Sequence, residues 1–269
     1  MASTRCRGFG DDLLDFITAG PKLRKWYGEG ERMPTDGMDM EDLDSAGVAE
    51  AEAEEEGPRD AILVTDAESL MGEQIVLQLI LARAKVRVLV RDAAAIKTAY
   101  GPYVTAISGT TDDPAAVAEA LRGVRAAICP GKVGALVAAA TRRKLGHLVL
   151  LSSTGALQPA GFSIGNFINA EQAVLRDPQR EQAVQQSGVP YTIVRAGRIR
   201  NTPGGNVQLQ FTQDDATVQG DISREDLAKV VTGALQKPPR SGLAFQVVGA
   251  GPGRPPSDWS DVFAGFQEA

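Results

Sequence analysis

The sequence predicts an α/β protein organised around a doubly wound parallel sheet, and three observations carry that expectation. Seven short apolar runs are continuous instead of alternating: Ala61–Thr65, Val86–Val90, Val104–Ile107, Ala126–Cys129, Leu148–Leu151, Tyr191–Val194 and Ala244–Val248. Strands of that kind are buried on both faces. Helical patterns separate them, at Gly72–Arg83, Pro114–Leu121, Val133–Leu145 and Pro178–Gln186, which places helices on both sides of the sheet. The first run also passes through a tight turn, Asp66–Gly72, straight into a helix. That is the position at which such folds turn a loop beneath a phosphate.

Taken in chain order, the sequence has an acidic head and a weakly basic body. Residues 1–58 carry 15 acids and 6 bases, residues 59–269 carry 19 and 22, and the whole has a net charge of −6. Within the head, Asp11 and Asp12 stand where helix-capping acids belong, Leu13, Leu14, Phe16 and Ile17 form an apolar face, and Gly20-Pro21 ends the helix. Leu23, Trp26 and Tyr27 follow, so residues 1–27 read as an N-terminal docking helix, packing on the body or on a partner. Residues 28–58 hold ten acids between Asp36 and Glu56 and few bulky apolar residues. Such a stretch cannot bury enough surface to offset its ordering entropy and reads as a disordered acidic linker. Residues 59–252 form the main domain. In the tail, 253–269, Trp259, Phe263 and Phe266 recur at helical spacing, again for packing or for a partner.

Composition excludes several chemistries. No apolar run reaches transmembrane length, because Ile75–Ala82 is broken by Gln78. Cys6 and Cys129 form neither a disulfide framework nor a CxxC site. His147, the one histidine, opens the run HLVLLSS and reads as structural; Ser152 and Ser153 lie at the far end of that run, so no Ser-His-Asp triad forms. Asp112-Asp113 and Asp214-Asp215 read as loop acids or helix caps, and no metal site is expected. The small positive charge of residues 59–269 does not support nucleic-acid binding.

Further motifs resemble a known family. The Asp66–Gly72 turn is similar to the TGxxGxxG turn of the short-chain dehydrogenase/reductase superfamily, in its atypical, NmrA-like branch. LVRD at Leu89–Asp92 and LLSSTGA at Leu150–Ala156 match strand ends of that branch. SGVPYTIVRAG at Ser187–Gly197 resembles its SGxxYTIxRPG signature, and SREDLAKVVTGAL at Ser223–Leu235 its late helix. The resemblance covers roughly residues 60–250 and implies a Rossmann-type sheet that holds NAD(P). It assigns cofactor contacts to Ser69, Gly72, Arg91, Gly131 and Ser152. Arg91 is the partner of an NADP 2′-phosphate, and Ser153 is the one catalytic candidate.

Two departures from the family pattern stand out. Asp66 and Ser69 replace the first two glycines of the turn, while Gly72 keeps the third. Asp66 and Glu68 then put carboxylates beside the pyrophosphate, and uncompensated like charges there would cost roughly 3–4 kcal/mol. The adenine-side acid is also missing, since Gly109 is followed by Thr110. In active members a Tyr and a Lys four residues on supply the proton, yet Ile164–Gln182 contains neither, and no tyrosine has a lysine at that spacing. The sequence therefore reads as a noncatalytic or weakly catalytic member, a scaffold, assembly or regulatory subunit with a protein partner and a weakened NADP pocket. The alternative is an NADPH-dependent oxidoreductase that uses Ser153 and water. The N-terminal GPKLRKWYG segment resembles plastid proteins of plants and algae, which implies a chloroplast; the alternative is the cytoplasm, and secretion is not expected.

Overall fold

Six of the apolar runs become inner strands of one sheet, and the seventh, Val104–Ile107, lies at its edge. A computed structural model describes residues 58–156, 170–213 and 218–268. The expected docking helix, nearly all of the acidic linker, Asp214-Asp215 and the first part of the Ile164–Gln182 window lie outside them. Strands β1 (Ala61–Thr65), β2 (Val86–Val90), β3 (Val104–Ser108), β4 (Val124–Cys129), β5 (His147–Ser153), β6 (Tyr191–Ala196), β8 (Val207–Thr212) and β10 (Gly242–Pro252) form a sheet of order β3-β2-β1-β4-β5-β6-β10-β8. All neighbours are parallel except β8, which runs antiparallel to β10. A separate parallel pair joins β7 (Arg198–Arg200) to β9 (Asp221–Ser223).

Each inner strand feeds two cores. Ile62 and Val64 of β1 face one side, where they meet α1 (Leu70–Leu81), α7 (Arg224–Gly233) and α8 (Trp259–Ala264). Ala61 and Leu63 face the other, against α3 (Pro114–Ala120), α4 (Leu136–Arg142) and α6 (Pro178–Gln185). Two-sided burial is why these strands are apolar without alternation. Helix α2 (Ala93–Tyr100) lies between β2 and β3 and buries only Ile96, which explains its faint pattern; Asp92 caps it by accepting from the N–H groups of Ala94 and Ala95. Helix α5 (Ala170–Leu175) precedes α6. Edge strand β8 alternates Val207, Leu209 and Phe211 with polar residues, the period of a half-buried strand.

The aromatic tail closes on its own sheet. Phe263 and Phe266 lie 5.5 and 5.0 Å, ring to ring, from Phe245 of β10, and Trp259 and Phe263 are buried. Trp259 fills the space a side chain at Gly233 would need, for a Cβ there would stand 2.4 Å from its indole. His147 is buried in β5 and its Nε2 lies 2.9 Å from Thr192 Oγ1. Burial, reinforced by nearby Arg125, pushes its pKa down to about 4.

Two outcomes test this packing. Gly233→Ala is expected to cost about 1–3 kcal/mol through overpacking, read as a lower urea midpoint at unchanged m-value. His147 stays neutral when folded while the unfolded chain takes up a proton below pH 6.5, so its contribution is present above that pH and disappears as pH falls toward about 4. The wild type should therefore lose about 3 kcal/mol more than His147→Asn between pH 7 and pH 4 in denaturant titrations.

Candidate functional site

The chain runs β1-β2-β3 in one direction across the sheet and β4-β5-β6 in the other, so the strand order reverses between β1 and β4. Ligands of doubly wound sheets bind at the carboxyl ends of the strands at such a point. A cleft of about 430 Å³ opens there. Asp66, Glu68 and Ser69 form one wall, Leu89–Arg91 and Gly109–Asp112 a second, and Pro130–Lys132 with Val174 the rest. A larger groove of about 670 Å³ lies between Arg83, Lys85, Tyr103 and Arg122. It sits at the amino ends of the strands, away from the helix N-terminus and from the end of the sheet at which such folds bind ligands.

The β1–α1 turn is built without its first two glycines. Asp66 takes up a left-handed conformation (φ 52°), which Asp tolerates better than most residues. Its carbonyl accepts from Ser69 N–H at 2.9 Å. Ser69 is the N-cap of α1, and its hydroxyl accepts from Gly72 N–H at 3.0 Å. Gly72 does not line the cleft. A Cβ on it would lie 2.2 Å from the Asp66 carbonyl oxygen, so this glycine allows helix and turn to touch. Gly131 lines the cleft opposite, and a Cβ there would lie 1.6 Å from Asp66 Oδ2; the Asp66 carboxyl group occupies the space above this glycine.

The charges are arranged differently from the expectation of two uncompensated carboxylates. Glu68 accepts from the backbone N–H of Arg91 at 3.1 Å, and its other oxygen forms an ion pair with Arg91 Nε. Glu68 is thus compensated, and Arg91 is engaged where a free 2′-phosphate partner was expected. Lys132 adds a second cation to the cleft and Asp112 a third acid. Asp113, its neighbour, caps α3 by accepting from Ala115 and Ala116.

Ser152 departs from its expected place at the cofactor. It does not line the cleft: it is fully buried and its hydroxyl donates to Glu181 Oε1. Glu181 in turn holds Arg195 through three contacts of 2.8 to 3.2 Å. Both partners are buried, which neither the strand nor the helix pattern indicates. The adjacent Arg180, also buried, donates to the carbonyls of Val174 and Gly131, two residues of the cleft wall. In sequence Arg180 looks like a solvated helix residue, so nothing there identifies it. Ser153, at the end of β5, accepts from Gly155 N–H at 3.3 Å, a bond that does not commit its own proton. Burial raises the Cys129 thiol pKa against the opposing effect of Arg180, so a reactive thiolate is disfavoured. Among the described residues no three His, Cys, Asp or Glu side chains gather to hold a metal, and no helix is long and apolar enough to cross a membrane.

A family model described as NAD(P)H-binding matches residues 67–238, which contain most of the cleft. The chain belongs to the NAD(P)H-binding family. Among members of known sequence it is similar to a (4-alkanoyl-5-oxo-2,5-dihydrofuran-3-yl)methyl phosphate reductase of Streptomyces griseus, 32% identical over 70% of this chain and 67% of that one. An uncharacterised chloroplastic protein of Arabidopsis thaliana is 28% identical over 81% and 86%. Sanguinarine reductase of Eschscholzia californica is 35% identical over 112 residues, only 40% of either chain. A short-chain dehydrogenase/reductase of Veillonella parvula, solved with NADP, superposes with a TM-score of 0.60 over 74% of this chain and 99% of that one at 16% identity, a likeness of fold. The fold is thus the one seen in short-chain dehydrogenases/reductases, here with an altered phosphate turn.

The buried pair gives a direct test. Glu181→Ala leaves Arg195 without its counter-charge and is expected to cost about 3–5 kcal/mol in urea unfolding, far more than loss of an exposed pair.

Proposed function

We propose that the protein binds NAD(P)(H) in the cleft between β1 and β4 and is a reductase for acceptors that need no proton from the enzyme. The observation that carries this reading is the cleft itself, set at the strand reversal and the N-terminus of α1, with Arg91 and Lys132 facing Asp66, Glu68 and Asp112. The lining offers two cations, Arg91 and Lys132, beside its three acids, and the α1 N-terminus adds a dipole that favours a phosphate. Lys132 would hold phosphate oxygens, Arg91 and Glu68 would stand at the ribose, and Gly109 and Thr110 would border the adenosine end. When bound, the cofactor supplies a hydride from its dihydronicotinamide ring.

The residues of this chain decide which acceptors suit that hydride. A ketone becoming an alcohol needs an acid beside its oxygen, and the family's Tyr-Lys pair is missing from Ile164–Gln182. Cationic or conjugated acceptors, such as iminium ions and quinones, can accept hydride and take any proton from water. The reductase names of the Streptomyces and Eschscholzia relatives support the reading. A plastid location accompanies it, supported by the chloroplastic relative, and import of the labelled full chain into isolated chloroplasts tests that location.

A second reading, a noncatalytic subunit of a larger assembly, is favoured by one observation: the Asp66 carboxyl group stands over Gly131 where a phosphate would approach the backbone. Calorimetric titration separates the two. Binding of NADH or NADPH, weakened about 10-fold by Lys132→Glu, is expected, together with cofactor oxidation by a quinone but not by a simple ketone. A folded protein that binds neither cofactor and co-purifies with a larger complex would establish the subunit reading instead.

A further inference from the structure

Arg91 follows β2, where an arginine accommodates a 2′-phosphate and an acid instead holds the ribose hydroxyls. In this protein both groups are present at that corner. The acid arrives from the β1–α1 turn, 23 residues earlier in sequence, because Glu68 reaches across to the end of β2. One of its oxygens takes the Arg91 N–H and the other the Arg91 Nε. Each carboxylate oxygen can accept a further hydrogen bond, so the pair still offers acceptor sites to a hydroxyl. Ser108 Oγ donates to the Arg91 carbonyl at 3.1 Å and fixes the same turn.

We propose that Glu68 is a specificity-determining residue that sets the cleft against a 2′-phosphate and in favour of a dinucleotide with free ribose hydroxyls, NAD(H). The inference rests on the dinucleotide reading of this cleft. A 2′-phosphate would bring a charge of about −1.5 to −2 into this corner. There it would meet one guanidinium already shared with Glu68, and Asp66 beyond it. A ribose 2′-hydroxyl brings no charge and can donate to Glu68. An exposed ion pair is weak on its own, so the discrimination comes from the sum of charges and not from the strength of the pair. Arg91 alone, read from sequence, points to NADP; Arg91 with Glu68 points to NAD.

Equilibrium titrations of the full chain with NADH, NADPH, ADP-ribose and 2′,5′-ADP, followed by protein fluorescence, test this directly. The wild type is expected to bind NADH at least ~10-fold more tightly than NADPH. Glu68→Gln, and independently Glu68→Ser, should tighten NADPH and 2′,5′-ADP by ~10-fold or more, while NADH and ADP-ribose bind no more tightly than to the wild type. Adding Arg91→Ala to Glu68→Gln should cancel that gain, an outcome a purely structural role for Glu68 would not produce. Thermal melts of each variant confirm that it is folded. Preference of the wild type for NADPH, or an equal effect of Glu68→Gln on both cofactors, would overturn the proposal while leaving the dinucleotide reading in place. Absence of binding by every probe to a folded wild type would remove that reading, and the selectivity with it.

Discussion

The carbonyl of Asp66 lies where the side chain of residue 72 would otherwise be, and most of the cleft follows from that contact. It brings the first turn of α1 against the end of β1. The capping bond from Ser69 to Gly72 then fixes the helix start. With the helix so placed, Glu68 is carried toward β2, and the Asp66 side chain is directed across to Gly131. A larger residue at position 72 would have to lever the helix away, and Glu68 and Ser69 would move with it. The retained glycine therefore belongs to the architecture. Of the two replaced ones, the first serves the tight turn, which Asp66 still makes, and the second the approach of a pyrophosphate, and their replacements are what make this cleft individual.

Behind the cleft lies a second charged layer. Arg195, Glu181 and Ser152 tie β6, α6 and β5 together out of reach of water. Desolvating such a pair costs several kcal/mol per ion, so it adds little net stability over well-packed apolar residues. Its effect is geometric: α6 can sit on β5 and β6 in only one register. Arg180, one residue earlier on α6, transmits that placement to the Gly131 turn through its carbonyl contact. The floor of the cleft is in this way positioned by residues that never face it.

The inner sheet was legible because burial on both faces writes itself into sequence as unbroken apolar runs; Ile62, Leu63 and Val64 announce β1 by themselves. The phosphate turn was legible from its place after the first strand and from Gly72. What escaped the sequence has a shared cause. Helix α2 buries Ile96 alone, β7 and β9 are three residues each, and β8 follows a different period. The electrostatics escaped for another reason: Glu68 and Arg91, or Ser152 and Glu181, are distant in sequence, and only the fold shows that they meet. A charge read one residue at a time has no partner, so Glu68 looked repulsive and Ser152 looked available.

The order of the strands has one further consequence. β10 is the last of the described strands in sequence, yet it sits between β6 and β8, and α8, which follows it, seals it. During synthesis β8 emerges first and has no neighbour in the sheet until β10 follows, while Phe245 has no cover until Phe263 and Phe266 are made. The far side of the sheet cannot close before β10 and α8 have been made. Until those residues are made, this side of the sheet presents an open apolar edge, the kind of surface on which incomplete proteins aggregate.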